Sequence, residues 1–449
     1  MKSIITTAAI LATSTASAQD LVHKAPPQTQ PILITGATVH PVDGPAIENG
    51  AVYFDRGRIV YVGPAVNAPR SAPRAGEQLR IIDAAGMHVA PGIFAAETRL
   101  GLVEVNAVRA TRDFNEVGPL TPEVRANAAI NPDSTLFPVA RSGGVLLAGV
   151  HPSGGRVPGQ AAVVRLDGWT TEDMTIDATP DHPADTAGLV VNWPGMRPNT
   201  AWWNETPASE QQERIDNALQ QIDDVWDTAE AYAAKRDADE SSPIDVRLEA
   251  MLPVTTRDQP LIINASDYDQ IVAAVTWATG RGYRVIINGG QDAPLAADLL
   301  LEHDVPVIIS GTHVFPKRAD LPHDHAYTLP KRLYDAGIEF ALNTAERDGN
   351  VRNLPFEAGM AARFGLPKTE ALRAITLAPA EIYGIADTYG SLEEGKSATL
   401  IISTQDPLEV RSHVLHAFID GRDLDLTNKQ TDLAEKYREK YRQLGLITD

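Results

Sequence analysis

The feature that most constrains the fold is a β-rich module that the chain begins, leaves unfinished and resumes near its other end. Residues 31–90 read as strands. "PILITGATVH" and "GAVYFDRGRIVYVGP" are rich in β-branched residues, and the second is broken by the turn Asp55-Arg56-Gly57. "LRIIDAAGMHVAPG" follows in the same style. The strands needed to complete the module come only at "SATLIISTQDPL", residues 397–408, and "HVLHAFIDGRDL", residues 413–424. Segments so far apart can share one sheet only if the chain between them folds as an insertion. That insertion, residues 91–390, alternates short apolar runs with helical patterns. "QPLIINAS" precedes "DYDQIVAAVTWATGRG", "YRVIING" precedes "APLAADLLLEHD", "VPVIISG" precedes a loop and "LPKRLYDAG", and "IEFALNT" precedes "LPFEAGMAARFG". Repeated strand–helix units imply a parallel sheet, either doubly wound or closed into a barrel. Residues 205–240 read as a surface helix and linker, and residues 427–449 as an amphipathic C-terminal helix.

Charge and cysteine usage remove whole classes of function. A net charge of −20 leaves no basic footprint, so nucleic acid and anionic membrane surfaces are not expected partners. The chain has no cysteine, which excludes thiolate catalysis and thiolate metal sites. The opening "MKSIITTAAILATSTASAQD" has the three parts of a signal peptide in order: Lys2, the apolar stretch Ile4 to Ala12, and Ala16-Ser17-Ala18 as a cleavage site. The expectation is a signal peptide over residues 1–18, a mature chain starting at Gln19, and a periplasmic or secreted protein. No later run reaches the roughly 18 apolar residues of a membrane span.

Three segments together resemble the amidohydrolase superfamily, in its imidazolonepropionase-like branch: "GAVYFDRGRIVYVGP", "IIDAAGMHVAPGIFAAETRLGL" and "AITLAPAEIYGIADTYGSLEEGKSATLIISTQDPL". The fold this resemblance implies is α/β, a distorted TIM (β/α)8 barrel over residues 91–390. A composite β-sandwich is formed from both chain ends, residues 31–90 and 391–426, with the C-terminal helix at 427–449. In metal-binding members the first barrel strand ends in His-x-His, two imidazoles on one side of a strand aimed at one ion. Later strands add histidines and a final aspartate. Carried onto this chain, those positions hold Glu97, Arg99, Asn264, Asn288 and Ala345. Arg99 is permanently cationic, asparagine is a weak ligand beside imidazole, and alanine is none. The resemblance therefore implies a vestigial active site with no confident catalytic residue and no cofactor; an active version would need a divalent metal such as zinc.

Other clusters are weaker. His323 and His325 in "LPHDHAYTLP" are a literal His-x-His. With His313 they are candidates for a relocated metal site, against the plainer reading of a solvated loop between prolines. Glu97, Glu104, Asp113 and Glu116 lie among Arg99, Arg109 and Arg112, where paired carboxylates could do acid–base work but salt-bridged loop structure is commoner. "HPSGGRVPGQ" lacks the lysine of a phosphate loop and reads as a turn. Trp202–Trp203 suggest an interface. The expected function is that of a non-catalytic subunit, either a homo-oligomer or the partner of an active amidohydrolase barrel. An active hydrolase of amide or cyclic-amide C–N bonds and a periplasmic small-molecule binding protein are the alternatives.

Overall fold

The computed structural model describes residues 22–74, 76–176, 186–201, 203–345 and 348–448. The expected signal peptide, its cleavage point at Gln19 and Trp202 lie outside the described residues.

In chain order, the first five strands are β1 (Ile32–Val39), β2 (Ile47–Asp55), β3 (Arg58–Pro64), β4 (Arg80–Asp83) and β5 (His88–Pro91). Nine follow in the insertion: β6 (Ile93–Thr98), β7 (Val145–Val150), β8 (Gly159–Arg165), β9 (Thr175–Ile176), β10 (Gly188–Asn192), β11 (Leu261–Ala265), β12 (Val285–Gly289), β13 (Val307–Ile309) and β14 (Phe340–Leu342). The last three are β15 (Leu400–Ser403), β16 (Val414–Ile419) and β17 (Arg422–Asp423).

The two chain ends do build one sheet. Its order is β17-β16-β15-β5-β1-β2-β3, with β4 also paired to β1. The junction is β5 against β15, antiparallel, with Pro91 opposite Leu400 and Val89 opposite Ile402. Ile34, Val52, Phe54, Leu400, Ile402 and Phe418 pack into one buried cluster drawn from both ends of the chain.

The insertion forms the second sheet, ordered β14-β13-β12-β11-β10-β8-β7-β6 with β9 paired to β8. It curls into a barrel. The seam between β14 and β6 is bridged by residues 374–375: Leu342 N–H donates to Ala374 O and Phe94 N–H to Ile375 O. The barrel is distorted at its third strand, because β8 runs antiparallel to both β7 and β10 while the other neighbours are parallel. Phe94, Leu147, Val163, Val190, Ile262, Ile286, Ile308 and Ala341 fill the interior. Ile93, Ala148, Val191, Ile263, Ile287 and Leu342 face the surrounding helices. Both faces are covered, which is why these strands read as unbroken apolar runs.

Two local expectations are adjusted. The surface helix expected in residues 205–240 is present, as one continuous helix over Ala208–Ala238, and it is anchored more firmly than its charge suggests. Ala218, Ile222, Trp226, Ala229 and Tyr232 form its buried stripe. Fully burying an aromatic side chain such as Trp226 stabilises by roughly 4–6 kcal/mol, from about 25 cal/mol per Å² over ~150–250 Å². Its charged side is pinned as well, since Arg281 bridges Asp223, Asp227 and Glu230. The second correction is "LPHDHAYTLP". A helix starts at His325 and runs to Asp335 with Pro330 inside it. Burial of His325, Ala326, Leu329 and Leu333 along one stripe offsets the ~3 kcal/mol penalty of an internal proline.

Candidate functional site

The mouth of the barrel, at the C-terminal ends of its parallel strands, is where this architecture gathers side chains for chemistry. Its first wall depends on a bulge. β6 and β7 are in register at Ala95–Ala148 and again at Thr98–Val150, so β6 carries one extra residue between them. Ala95, Ala148 and Val150 all face the outer helices. The extra residue therefore turns Glu97 and Arg99 to the inward side already taken by Phe94 and Ala96. Gly149 permits this: a Cβ there would stand 2.2 Å from Ala96 O. Glu97 is buried. The Arg99 guanidinium lies over the Phe114 ring at 4.2 Å.

Below Glu97 the barrel is plugged by Tyr383, whose hydroxyl donates to Ala96 O at 2.7 Å. The same hydroxyl lies 2.7 Å from His151 Nε2. Its single proton is spent on the carbonyl, so the imidazole must donate, which fixes a proton on Nε2. Burial first, and then the negative charge of Glu97, raise the Tyr383 pKa well above its usual value. Tyr383 is thus held as a neutral phenol.

The opposite wall is a relay of carboxamides. Asn192, Asn264 and Asn288 stand in register on β10, β11 and β12. Asn288 Nδ2 donates to Asn264 Oδ1 at 2.6 Å, and Asn264 Nδ2 donates to Asn192 Oδ1 at 2.6 Å. Asn192 Nδ2 in turn donates to Gly154 O at 3.1 Å and Gly155 O at 2.9 Å. The glycine-rich turn "HPSGGRVPGQ" is therefore the anchor of this relay. Gly155 sits at φ +58° with its Cα side against Gly118 O, where a Cβ would come to 2.8 Å. A fourth asparagine, Asn343, follows β14 and donates from Nδ2 to Glu97 O at 2.5 Å. Its Oδ1 is buried and has no hydrogen-bond partner among the described residues. Ala345 lies two residues further on and is exposed at the rim.

Glu97, Arg99, Asn264 and Asn288 are thus gathered at one mouth, with Ala345 at its edge. The reading from sequence missed His151, Asn192, Asn343 and Tyr383. A signal was present for two of them: "LVVN", "LIIN", "VIIN" and "FALN" are four apolar runs that each end in asparagine. His151 and Tyr383 carried none, because only the closed barrel brings them together.

The histidines of the β13 loop do not form a cluster. His313 Nδ1 lies 3.2 Å from Glu357 Oε2. That carboxylate also accepts from Thr312 N at 2.6 Å, Thr312 Oγ1 at 2.6 Å and His313 N at 2.8 Å, so it clamps the loop. His313 and His323 line an open cavity of about 710 Å³ with Phe315 and Tyr327. His325 is instead buried at the start of its helix, with Arg332 donating to its Nδ1 at 3.3 Å. Burial and then the Arg332 charge push its pKa down. Among the described residues no three His, Asp or Glu side chains converge in a way that could hold a metal ion. Glu104 is used structurally, accepting from Thr135 N and Oγ1 at 3.2 and 3.1 Å. Trp203 is exposed.

Residues 267–424 match the model of the amidohydrolase family. Amidohydrolase tasK of Hapsidospora irregularis is 26% identical over 402 residues, covering 83% of this chain; the match spans only 39% of that protein's length. Imidazolonepropionase of Geobacillus kaustophilus strain HTA426 is 24% identical over 391 residues, 79% of this chain and 84% of its own. Among solved structures, an amidohydrolase from Thermotoga maritima MSB8 superposes with a TM-score of 0.75 at 24% identity, covering 88% of this chain and 99% of that one. An adenosine deaminase from Xanthomonas campestris with bound zinc superposes at 0.51 and 17% identity, covering 93% and 100%. Among the described residues no helix is long and apolar enough to cross a membrane.

Proposed function

Since the chain belongs to the amidohydrolase superfamily, we propose that it is an exported member whose barrel mouth no longer assembles a metal centre and which serves as a non-catalytic subunit, paired with an active amidohydrolase barrel or with itself. The observation that carries this reading is the asparagine relay. At the positions where the resemblance implies imidazoles, Asn264 and Asn288 bond to each other, and Asn264 bonds on to Asn192. Carboxamides are poor ligands for zinc beside imidazole, and an arginine at the same mouth repels a divalent ion. The only carboxylate among the mouth residues described is Glu97, and His151 turns Nε2 to Tyr383. One carboxylate and several amides do not fit a divalent cation that would lower the pKa of a bound water to about 7.

The test is metal analysis of the mature protein after dialysis, with a panel of amides and cyclic amides as substrates. The expected result is no stoichiometric zinc, iron or manganese and no turnover, together with either a second barrel protein recovered on purification from the native host or a homo-oligomer of this chain. About one tightly held ion per chain, bound by the three or four protein ligands a zinc site needs, would overturn the reading. Export is tested by intact mass: periplasmic protein should begin at Gln19, and retention of Met1 to Ala18 refutes it. A second reading, small-molecule binding, draws on the buried acceptor Asn343 Oδ1 at the mouth. Thermal stabilisation by an amide N–H donor, abolished in Asn343→Ala, would favour it.

A further inference from the structure

The C-terminal helix Lys429–Gln443 is built to fold yet touches almost nothing. Asn428 caps it, accepting from Gln430 N at 3.0 Å and Thr431 N at 3.2 Å, and Thr431 Oγ1 accepts from Asn428 N at 2.9 Å in return. None of its 15 residues is buried. Even so, Leu433, Tyr437, Tyr441 and Leu444 recur at spacings of four, four and three, and form one apolar stripe with exposures of 42, 49, 42 and 60%. A helix of this length without tertiary contacts is marginal in water, where about 12–15 residues is the lower limit even for favourable sequences. The stripe is what would hold it, once covered.

Charge identifies the cover. The helix carries Lys429, Lys436, Arg438, Lys440 and Arg442 against Asp432, Glu435 and Glu439, a net +2. The whole chain is −20, so everything outside the helix sums to −22. Helix against symmetry-related helix would bring two net-cationic helices together. Helix against the acidic body of another copy relieves charge on both. The body offers a surface that matches in both respects. At the end of the long helix Ala208–Ala238 the chain exposes Ile244 and Val246, 64 and 67% accessible. They lie among Asp237, Asp239, Glu240, Asp245 and Glu249; Arg236 pairs with Glu249 and Arg247 with Glu123, and residues 236–249 keep a net charge of −3.

We propose that Lys429–Gln443 is an exchange arm that packs its Leu433–Tyr437–Tyr441–Leu444 stripe on the acidic, apolar-centred surface around Ile244 and Val246 of a second copy of this chain. Acidic residues ringing an apolar centre, met by an apolar stripe edged with lysine and arginine, supply both burial and orientation. The arm rests on the self-pairing branch of the functional reading and specifies its contact; light scattering and cross-linking test the arm, whereas metal content and turnover test the barrel mouth.

Light scattering of the mature chain at micromolar concentration should give the mass of two chains. The same protein ending at Asn428 should give one, and so should full-length Tyr437→Glu, which alters only an exposed side chain. Raising salt should weaken the dimer, since its steering charges are solvent-exposed. The absence of native cysteine allows a direct contact test. Chains carrying Ile244→Cys, mixed with chains carrying Tyr437→Cys, should form a mixed disulfide under mild oxidation. A monomeric full-length chain, a dimer unaffected by both Tyr437→Glu and truncation, or cross-linking of Tyr437→Cys to itself in preference to Ile244→Cys would each overturn the proposal.

Discussion

Replacing Asp167 by asparagine should be among the most damaging single changes outside the barrel mouth. Asp167 follows β8 with its side chain fully buried, and it holds two cations from different parts of the chain. Oδ1 accepts from Arg141 Nη1 at 2.9 Å, and Oδ2 accepts from Arg422 Nη1 at 2.7 Å and from Ala25 N at 3.3 Å. Arg141 belongs to the barrel and is 1% exposed at its side chain, whereas Arg422 is on sandwich strand β17 and is 20% exposed. The carboxylate is thus a rivet between the two domains. Removing its charge leaves the Arg141 guanidinium desolvated and poorly compensated, although burial already lowers its pKa. Breaking a buried pair in this way costs ~3–5 kcal/mol. We expect about 3 kcal/mol, the lower end of that range, because Arg422 can rehydrate and Asp425 still acts on Arg141. Urea unfolding followed by hydrogen exchange should show the loss, with faster exchange in residues 140–146 and 417–424. The exposed pair Arg214–Glu210 is the control, and its removal should change stability by no more than ~0.5 kcal/mol. The double change Arg141→Met with Asp167→Leu should recover most of the loss, since no charge is then left buried. If Asp167→Asn unfolds within about 1 kcal/mol of the parent, less than the ~3–5 kcal/mol of a broken buried pair, the rivet argument fails.

Other consequences are as direct. Gly149→Ala places a methyl 2.2 Å from Ala96 O and should cost at or above the top of the ~1–3 kcal/mol range for overpacking, seen as a lower melting temperature or loss of soluble protein. Asn264→Ala cuts the relay in the middle and strands an Asn288 donor and an Asn192 acceptor, so a loss of ~1–3 kcal/mol is expected in chemical denaturation; a neutral result would mean that water replaces the bonds. His40 and His325 have pKa values lowered chiefly by burial. The unfolded chain therefore takes up their protons first on acidification, so their contribution is complete above the ordinary value of 6.5 and is lost as pH falls through the lowered folded values. Melting curves of the parent and of His40→Gln with His325→Gln should converge as pH is lowered from neutral toward 5; parallel curves would refute this.

What was legible in the sequence follows from how local each signal is. β-branched runs and strand–helix alternation sit within a few residues, so the split β module and a parallel sheet could be read directly; that the sheet closes into a barrel came from the resemblance. The reversed direction of β8 could not, because "AAVVR" looks the same whichever way it is threaded. The prolines around His323 and His325 suggested a loop, yet the buried stripe through Leu329 and Leu333 governed. Charge on residues 205–240 masked the spacing of Ile222, Trp226 and Ala229. At the mouth, Glu97 and Arg99 were found because the preceding Pro-Gly fixes their register. The contact of Tyr383 with His151 joins residues 232 apart and exists only in the folded barrel.

The junction of β5 with β15 has a consequence for how such a chain is made. Pro91 meets Leu400 across that strand pair, so the first sheet stays open until nearly the whole polypeptide is available. Until then β5 presents an unpaired edge whose Val89 and Ala90 become fully buried only in the finished fold, and unpaired apolar edges template aggregation. Closure of so long a loop adds little to its entropy cost, since that grows only as the logarithm of length, but it delays the event. Nascent or proteolysed chains that end before residue 397 should therefore be aggregation-prone even with the barrel formed. Supplying residues 397–428 as a separate peptide should rescue their solubility by completing the sheet.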